Sequence, residues 1–191
     1  NNFQTCFFHN EGNGKFTMKP LPAQVQFSAI NGMVVEDFDG DGNLDIVLNA
    51  NDYGTEPNVG RYDALNGLFL KGDGKGNFRP LSILQSGIFI PGNGKALAKL
   101  ESANGKCLLA AGQNRGPLKI FELKKDFNIV RLEPSDEVVQ LNYKNGKTRK
   151  QEIYYGSSFL SQSGRFLNLD KNVNSLEIKD SKGKTRKILN Q

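Results

Sequence analysis

The sequence has few of the residues on which enzymes most often rely for catalysis. Its 191 residues include one histidine, His9, and two cysteines, Cys6 and Cys107. His9 lies between Phe8 and Asn10 in a predicted strand, and no motif supplies it with a nucleophile and an orienting acid. Each cysteine lies in an apolar strand, where a buried free thiol is expected rather than a disulfide. The sequence therefore predicts a protein that is not an enzyme.

The sequence also lacks a hydrophobic run long enough to span a membrane, a secretion signal and a coiled-coil heptad. It contains 21 glycines and few runs that favour helix, which indicates many turns between short strands. Its 37% of hydrophobic residues is enough to form a packed core. These features predict an all-β protein of one or two domains.

The most informative segment is an acidic, glycine-rich stretch. It places four carboxylates within nine residues, 37–45, which read DFDGDGNLD. Such a density of negative charge must be neutralised by solvent or by a hard cation. The glycines bend the chain so that Asp37, Asp39 and Asp41 converge on one point. The pattern favours Ca²⁺ as the cation.

Two other interpretations of this segment were weighed against calcium. An EF-hand is excluded because its twelfth position, which requires an acid, is Leu48, and because residues 32–38 and 44–50 are predicted strands rather than helices. A type I′ hairpin turn at Asp41-Gly42, with solvated acids and no metal, stays open. Such a turn does not by itself require aspartates at positions 37, 39 and 45.

Residues 34–51 resemble the calcium-binding signature of FG-GAP or VCBS repeats, the blade units of integrin-type β-propellers. In that family, four side chains and one backbone carbonyl of a hairpin loop hold one Ca²⁺ ion. By position, the resemblance implies that the ligands are the side chains of Asp37, Asp39, Asp41 and Asp45 and the backbone carbonyl of Asn43. It thus implies calcium as the cofactor and β-propeller-type blades as the fold.

The rest of the chain carries a repeat of blade size. Residues 7–16, FFHNEGNGKF, recur as residues 69–78, FLKGDGKGNF, 62 positions later. Residues 33–51 correspond to 95–112, where Lys99, Glu101 and Ser102 replace the acidic set, so that this second hairpin should hold no metal. Residues 118–132 are expected to form a third, degenerate outer hairpin. A partial propeller is therefore predicted over residues 1–134.

A second resemblance begins after Pro134. Residues 156–163, GSSFLSQS, followed by SLEI at 175–178 and by Gly183, resemble the ASPIC and UnbV domain, which commonly follows such repeats. The resemblance implies a small C-terminal β-domain over residues 135–191. Independently, residues 138–150 and 176–187 each consist of an alternating strand, a glycine turn and a basic strand, which predicts two hairpins.

Charge changes at the same boundary. From Asp136 onward there are 11 Lys/Arg and 6 Asp/Glu, so this segment carries the whole net charge of +5. We expect these charges to be solvated faces and protection of strand edges against aggregation. A phosphate or an acidic glycan stays open as a ligand, and no nucleic-acid partner is predicted.

The resemblances imply a secreted or cell-surface binding or adhesion module whose partner is a protein or a glycan. The alternative is a non-catalytic module of a polysaccharide-degrading or glycan-uptake system. A single hairpin site is useful where Ca²⁺ is abundant, which favours an extracellular, cell-surface or periplasmic location. The first unit matches the latter half of a blade, and a closed propeller needs roughly four or more blades. We therefore expect upstream blades of a longer protein, or an oligomer mate, beside this first unit.

A partner site is predicted in the long loop at residues 51–66, which exceeds what a hairpin needs. It carries Tyr53, Arg61 and Tyr62, residue types that are enriched at binding hot spots, together with Asp63. Arg61 is predicted to pair with a carboxylate or a glycan acid while the tyrosines stack on the ligand. The equal alternative is that Arg61 and Asp63 only fasten the loop to its own blade or to the outer acids of the calcium loop.

Overall fold

The computed structural model describes residues 2–190, and within them the chain forms fifteen strands, one α-helix and one 3₁₀ helix. The strands are β1 (Cys6–Gly12), β2 (Lys15–Pro20), β3 (Ile30–Glu36), β4 (Asp45–Ala50), β5 (Leu68–Gly72), β6 (Phe78–Leu81), β7 (Gly94–Glu101), β8 (Cys107–Gln113), β9 (Lys119–Glu122), β10 (Asn128–Arg131), β11 (Asp136–Tyr143), β12 (Thr148–Glu152), β13 (Phe166–Leu169), β14 (Val173–Asp180) and β15 (Thr185–Leu189). The 3₁₀ helix is Ala23–Gln26, and the α-helix, α1, is Ile83–Ser86. The predicted all-β class is confirmed.

All strand pairs in the described part of the chain are antiparallel, and they form five sheets. The strand orders are β1–β2, β3–β4–β5–β6, β7–β8–β9, β10–β13 and β12–β11–β14–β15. None of these sheets closes into a barrel. Neighbouring strands within the second and third sheets are also neighbours in sequence, although β4 and β5 are joined by the long connection at residues 51–67. No helix between residues 2 and 190 has the length and apolarity that a membrane span requires.

The second and third sheets meet through their first strands, β3 and β7. A Cβ atom at Gly32 would lie 2.7 Å from the backbone nitrogen of Leu97, so only glycine permits this approach. The buried amide of Asn49 joins the two sheets, because its Nδ2 donates to the carbonyls of Ala96 at 2.9 Å and Gly112 at 3.0 Å. The two sheets are therefore fixed to each other by backbone contact and by a buried hydrogen-bonding side chain.

β4 is buried along its whole length because it separates two hydrophobic clusters. Its alternate residues point to opposite faces, so that Val47 enters one cluster while Ile46 and Leu48 enter the other. The first cluster lies between the second and third sheets and comprises Val34, Phe38, Val47, Ile88, Ile90, Leu97, Leu109 and Ala111. The other comprises Val25, Ile46, Leu48, Leu68 and Leu70.

The C-terminal residues form a unit with its own core. The two predicted hairpins are confirmed as β11–β12 and β14–β15, and they pair with each other through β11 and β14. The core consists of Val139, Leu141, Leu167, Leu169, Val173, Leu176 and Ile178. β10 belongs to this core although it precedes Pro134, since it pairs with β13 and since Val130 packs against the cluster.

The predicted third outer hairpin at residues 118–132 is wrong. β9 pairs with β8, whereas β10 pairs with β13, so the two strands of the expected hairpin belong to different sheets. The physical reason is that Val130 of β10 is partly buried against the C-terminal core. A hairpin pattern in sequence does not reveal which of two cores takes the apolar face of its second strand.

The serine-rich segment predicted within the C-terminal domain covers the junction of the second and third sheets. Its hydroxyl groups accept hydrogen bonds from backbone N–H groups of β3 and β7, which would otherwise be unpaired at the sheet edges. The three bonds join Ser158 to Met33 (3.1 Å), Ser161 to Leu97 (2.9 Å) and Ser163 to Lys99 (3.0 Å). The C-terminal unit therefore contacts the sheets directly.

The N-terminal hairpin, β1–β2, packs against the second sheet through Phe7, whose ring meets that of Phe78 edge-on with centroids 5.6 Å apart. Both cysteines carry free thiols. Cys107 is buried, as predicted, whereas Cys6 at the start of β1 is partly exposed. The expectation that both thiols are buried is therefore correct only for Cys107.

Candidate metal centre and binding cleft

The acidic loop is the connection between β3 and β4, and hairpin pairing brings its two ends together. Asp37 follows β3 directly, and Asp45 opens β4 opposite Glu36. One carboxylate oxygen from each of Asp37, Asp39 and Asp45 lies within 4.8 Å of the others. Two ligands on opposite sides of one Ca²⁺ ion are up to about 5 Å apart, so these three oxygens suit a single ion.

Backbone amides of the loop hold the Asp37 carboxylate in place. Its Oδ1 accepts hydrogen bonds from the N–H groups of Gly40 at 2.7 Å and Asp41 at 3.1 Å. Its Oδ2 accepts one from the N–H of Gly42 at 2.9 Å. The positive φ angles of Gly40 and Gly42, 69° and 88°, give the chain the curvature that turns these amides inward. Three hydrogen bonds leave Asp37 with capacity for a further interaction.

Asp45 is fully buried and joins the loop to the next strand. Its Oδ1 accepts a hydrogen bond from the N–H of Gly72 on β5 at 2.9 Å, and its Oδ2 accepts one from the N–H of Phe38 at 3.2 Å. Each oxygen keeps one lone-pair direction that these amides do not use. The orientation of this carboxylate is therefore set before any ion binds.

Burial raises the pKa of both Asp37 and Asp45 to about 6. In Asp37 the loss of hydration outweighs the hydrogen bonds from Gly42 and Gly40, which act in the opposite direction. In Asp45 it outweighs the hydrogen bond from Gly72. Both carboxylates are thus charged groups with too little hydration, and a cation between them would stabilise their ionised form.

Lys71 on β5 supplies positive charge at the outer side of the loop. Its ammonium contacts the Asp39 carboxylate and lies 3.1 Å from Oδ2 of Asp41. The hydrogen bond to Asp39, against the opposing effect of burial, raises the pKa of Lys71. Asp41 stands outside the group of three carboxylates and faces this lysine.

The structure therefore brings together three of the four predicted carboxylates. The other two predicted ligands, the Asp41 side chain and the Asn43 carbonyl, stay predictions. The N–H of Asn43 donates to Oδ1 of Asp41 at 2.8 Å, so the two residues are adjacent in the loop.

Sequence reasoning missed three residues that hold the loop from outside. Lys125 Nζ donates to the carbonyl of Asp39 at 2.5 Å, Asn172 Nδ2 donates to that of Gly40 at 3.2 Å, and Arg149 donates to that of Gly42 at 3.4 Å. These residues are 86 to 132 positions away in sequence, so no local pattern points to them. The loop is held by the C-terminal half of the chain as well as by its own hairpin.

The second hairpin carries a buried ion pair beside the acidic loop. The Lys99 ammonium contacts the Glu36 carboxylate, and the two side chains are only 7% and 3% exposed. Lys99 also donates to the carbonyl of Phe166 at 3.0 Å and lies 4.5 Å from the centre of its ring. Glu101, another replacement in this hairpin, pairs with Arg131.

The long loop at residues 51–66 borders a separate cleft of about 670 Å³. The bridge between Asp52 and Tyr62 closes the loop, Asn51 Nδ2 donates to the carbonyl of Leu65 at 2.6 Å, and Lys95 lies 3.4 Å from the Asp52 carboxylate. Of its four predicted partner-binding residues, the structure brings Tyr53 and Arg61 together, with the guanidinium 4.9 Å above the tyrosine ring. Both line the cleft, whereas Tyr62 and Asp63 do not.

The other wall of this cleft was not predicted from the sequence. It comes from the segments that flank β7 and β8, and it contributes Asn93, Gln113, Asn114 and Arg115. No motif marks these residues, because they meet Arg61 only when the second and third sheets pack together.

Comparison with protein-family models and with curated proteins finds no match for this chain. Proposals about its function therefore rest on the geometry of these two sites.

Proposed function

We propose that this chain is a non-catalytic binding module that is stabilised by Ca²⁺ and works at the cell surface or in a secreted protein. The observation that carries the proposal is the convergence of Asp37, Asp39 and Asp45, with carboxylate oxygens within 4.8 Å of one another. Two of these groups are buried, and the hydration they lose would be replaced by contact with the ion.

The donor set favours calcium over other divalent ions. Every candidate ligand is an oxygen atom, whereas zinc sites in proteins are mostly built from sulfur and nitrogen. Four carboxylates and the Asn43 carbonyl would provide five oxygens, and water would complete the six to eight that Ca²⁺ takes. Mg²⁺ requires a stricter octahedron and keeps more of its water, which suits a loop with preset carboxylates less well.

The proposed role of the ion is structural. When bound, it neutralises the carboxylates and fixes the loop between β3 and β4. The protein residues orient the ligands through the amides of Gly40, Gly42 and Gly72. A site of this kind is occupied where calcium is abundant, which supports an extracellular, cell-surface or periplasmic location.

We further propose that the second and third sheets are propeller-type blades of the FG-GAP or VCBS kind and that the C-terminal unit is an ASPIC and UnbV-like domain. Two features support this assignment: each sheet is a meander of consecutive antiparallel strands, and the sheets meet through their first strands, β3 and β7. In a propeller, the first strands of neighbouring blades also lie side by side around the axis. The proposed partner is a protein or a glycan at the cell surface.

Thermal unfolding with and without calcium tests the metal site. Ca²⁺ at about a hundred times its dissociation constant should stabilise the fold by about 2.7 kcal/mol, which raises the melting temperature by about 5–10 °C. Chelation with EDTA should remove the increase, and calorimetric titration should give one ion per chain.

Asp39→Asn is the test variant, because Asp39 is the exposed member of the group and its replacement leaves the buried pair intact. It should abolish most of the calcium-dependent increase. Asp63→Asn is the matched control, since Asp63 is exposed and lies in the long loop beyond the other end of β4, and it should retain the increase. An identical melting temperature of the unmodified protein in calcium and in EDTA would refute the proposal.

A further inference from the structure

The cleft beside the long loop combines two arginines with several carboxamides. Arg61 lines it from the long loop and Arg115 from the turn after β8, and Asn93, Gln113 and Asn114 also line it. Its volume of about 670 Å³ falls within the range of small-molecule sites, roughly 300–1,000 Å³. Among the residues that line the cleft there is no carboxylate, so nothing within it balances the two positive charges.

Neither arginine forms a salt bridge within residues 2–190. Arg61 is held by stacking on the ring of Tyr53, which orients the guanidinium without neutralising it. A guanidinium presents donors in a planar fork that fits a carboxylate or a sulfate with two parallel hydrogen bonds. Two such groups facing one cleft therefore favour an anionic ligand.

The backbone at Arg115 adopts a conformation that arginine rarely takes. Its φ is 57°, in the left-handed region that glycine and asparagine occupy at much lower cost. It lies in the turn after β8, between Asn114 and Gly116. Strained residues of this kind are concentrated at functional sites, where the position of the side chain matters more than local stability.

We propose that this cleft binds an anionic saccharide unit, with the guanidinium groups of Arg61 and Arg115 on its acid group and the carboxamides on its hydroxyls. Carboxamides both donate and accept hydrogen bonds, as sugar hydroxyls do. The inference rests on the proposed binding role and deepens it by naming the class of ligand.

The cleft does not depend on the metal loop for its geometry. The acidic loop precedes β4 at Asp45, whereas Tyr53 follows its other end at Ala50. A strand of six residues separates the two by about 17 Å. The proposed saccharide site and the proposed calcium site can therefore be tested independently of each other.

The test is a calorimetric titration of the full chain with trigalacturonate, with a sulfated galactose trimer and with neutral galactotriose, each in calcium and in EDTA. At least one anionic trimer should bind, and galactotriose should bind at least tenfold more weakly. The stronger of the two anionic trimers identifies the acid group. If the anionic trimers bind in EDTA and the melting temperature is the same in calcium and in EDTA, the saccharide site is supported and the metal site is refuted.

Three variants locate the site. Arg61→Gln and Arg115→Asn should each weaken binding about ten- to a hundredfold, because each loses charge-assisted hydrogen bonds. Arg115→Asn should not lower the melting temperature, since asparagine tolerates a positive φ. Arg79→Gln is the matched control, because Arg79 is exposed on β6 outside the cleft, and it should bind like the unmodified protein.

Several results would overturn the inference. They are the absence of binding by both anionic trimers up to about 10 mM, equal binding of galactotriose, and equal loss of affinity in Arg79→Gln. Tetraglutamate that binds as tightly as the sugars would also overturn it in favour of an acidic peptide. If Arg115→Asn lowers the melting temperature but leaves the affinity for the anionic trimers unchanged, the role of Arg115 is structural and the inference is overturned.

Discussion

Replacing Lys99 by methionine should destabilise the protein strongly, because it leaves the Glu36 carboxylate buried without a counter-ion. Both side chains are almost fully excluded from water, so solvent cannot take over the role of the ammonium. Methionine fills nearly the same volume, and the change therefore tests charge rather than packing. Removing one partner of a buried ion pair typically costs about 3–5 kcal/mol.

The free energy of unfolding of the Lys99→Met variant should therefore fall by about 3–5 kcal/mol at pH 7.

Urea unfolding at pH 7 measures the effect. The double variant Glu36→Gln with Lys99→Met should recover most of the loss, since no buried charge remains. Lys106→Met is the control: it makes the same chemical change in an exposed pair with Asp126, where little change is expected. A loss below about 1 kcal/mol for Lys99→Met would refute the reasoning.

Two further predictions concern charge at the metal loop and in the C-terminal unit. Lys71→Met should raise calcium affinity about tenfold in calorimetric titration at low salt. The reason is that a unit positive charge about 5 Å from a divalent ion repels it by about 1.7 kcal/mol in water. An unchanged affinity would contradict a calcium site next to Lys71. In the C-terminal unit, burial acts to raise the pKa of Asp136, but hydrogen bonds from Arg186, at 2.5 Å each, and from the N–H of Glu133 outweigh it and lower the pKa below the usual 3.8. Stability from this pair is therefore complete above the usual pKa and is lost as pH falls below it, so Arg186→Gln should flatten the decline in unfolding free energy below about pH 3.8.

The acidic loop and the hairpins could be predicted because their signals are local. The proximity of Asp37 to Asp45 follows from the length of one loop between two apolar strands, and glycine turns mark both C-terminal hairpins. In these places the residues that determine the structure lie within about ten positions of one another.

Contacts between distant segments could not be predicted in the same way. Lys125, Arg149 and Asn172 reach the loop only because the C-terminal unit packs against it. Arg115 meets Arg61 only because two sheets stack, and the sequence carries no pattern for that meeting. The pairing of β10 with β13 was missed because an apolar strand can satisfy either of two neighbouring cores.

The double burial of β4 has a consequence for how the protein unfolds. One strand contributes Val47 to one core and Ile46 and Leu48 to another, so neither core is complete once β4 leaves. Two sheets that share no strand pairing are thereby joined into one cooperative unit, and their backbone amides should exchange with solvent in a single opening event. Local fluctuations can loosen the turns at either end of this strand, but exchange at its centre requires the second and third sheets to come apart together.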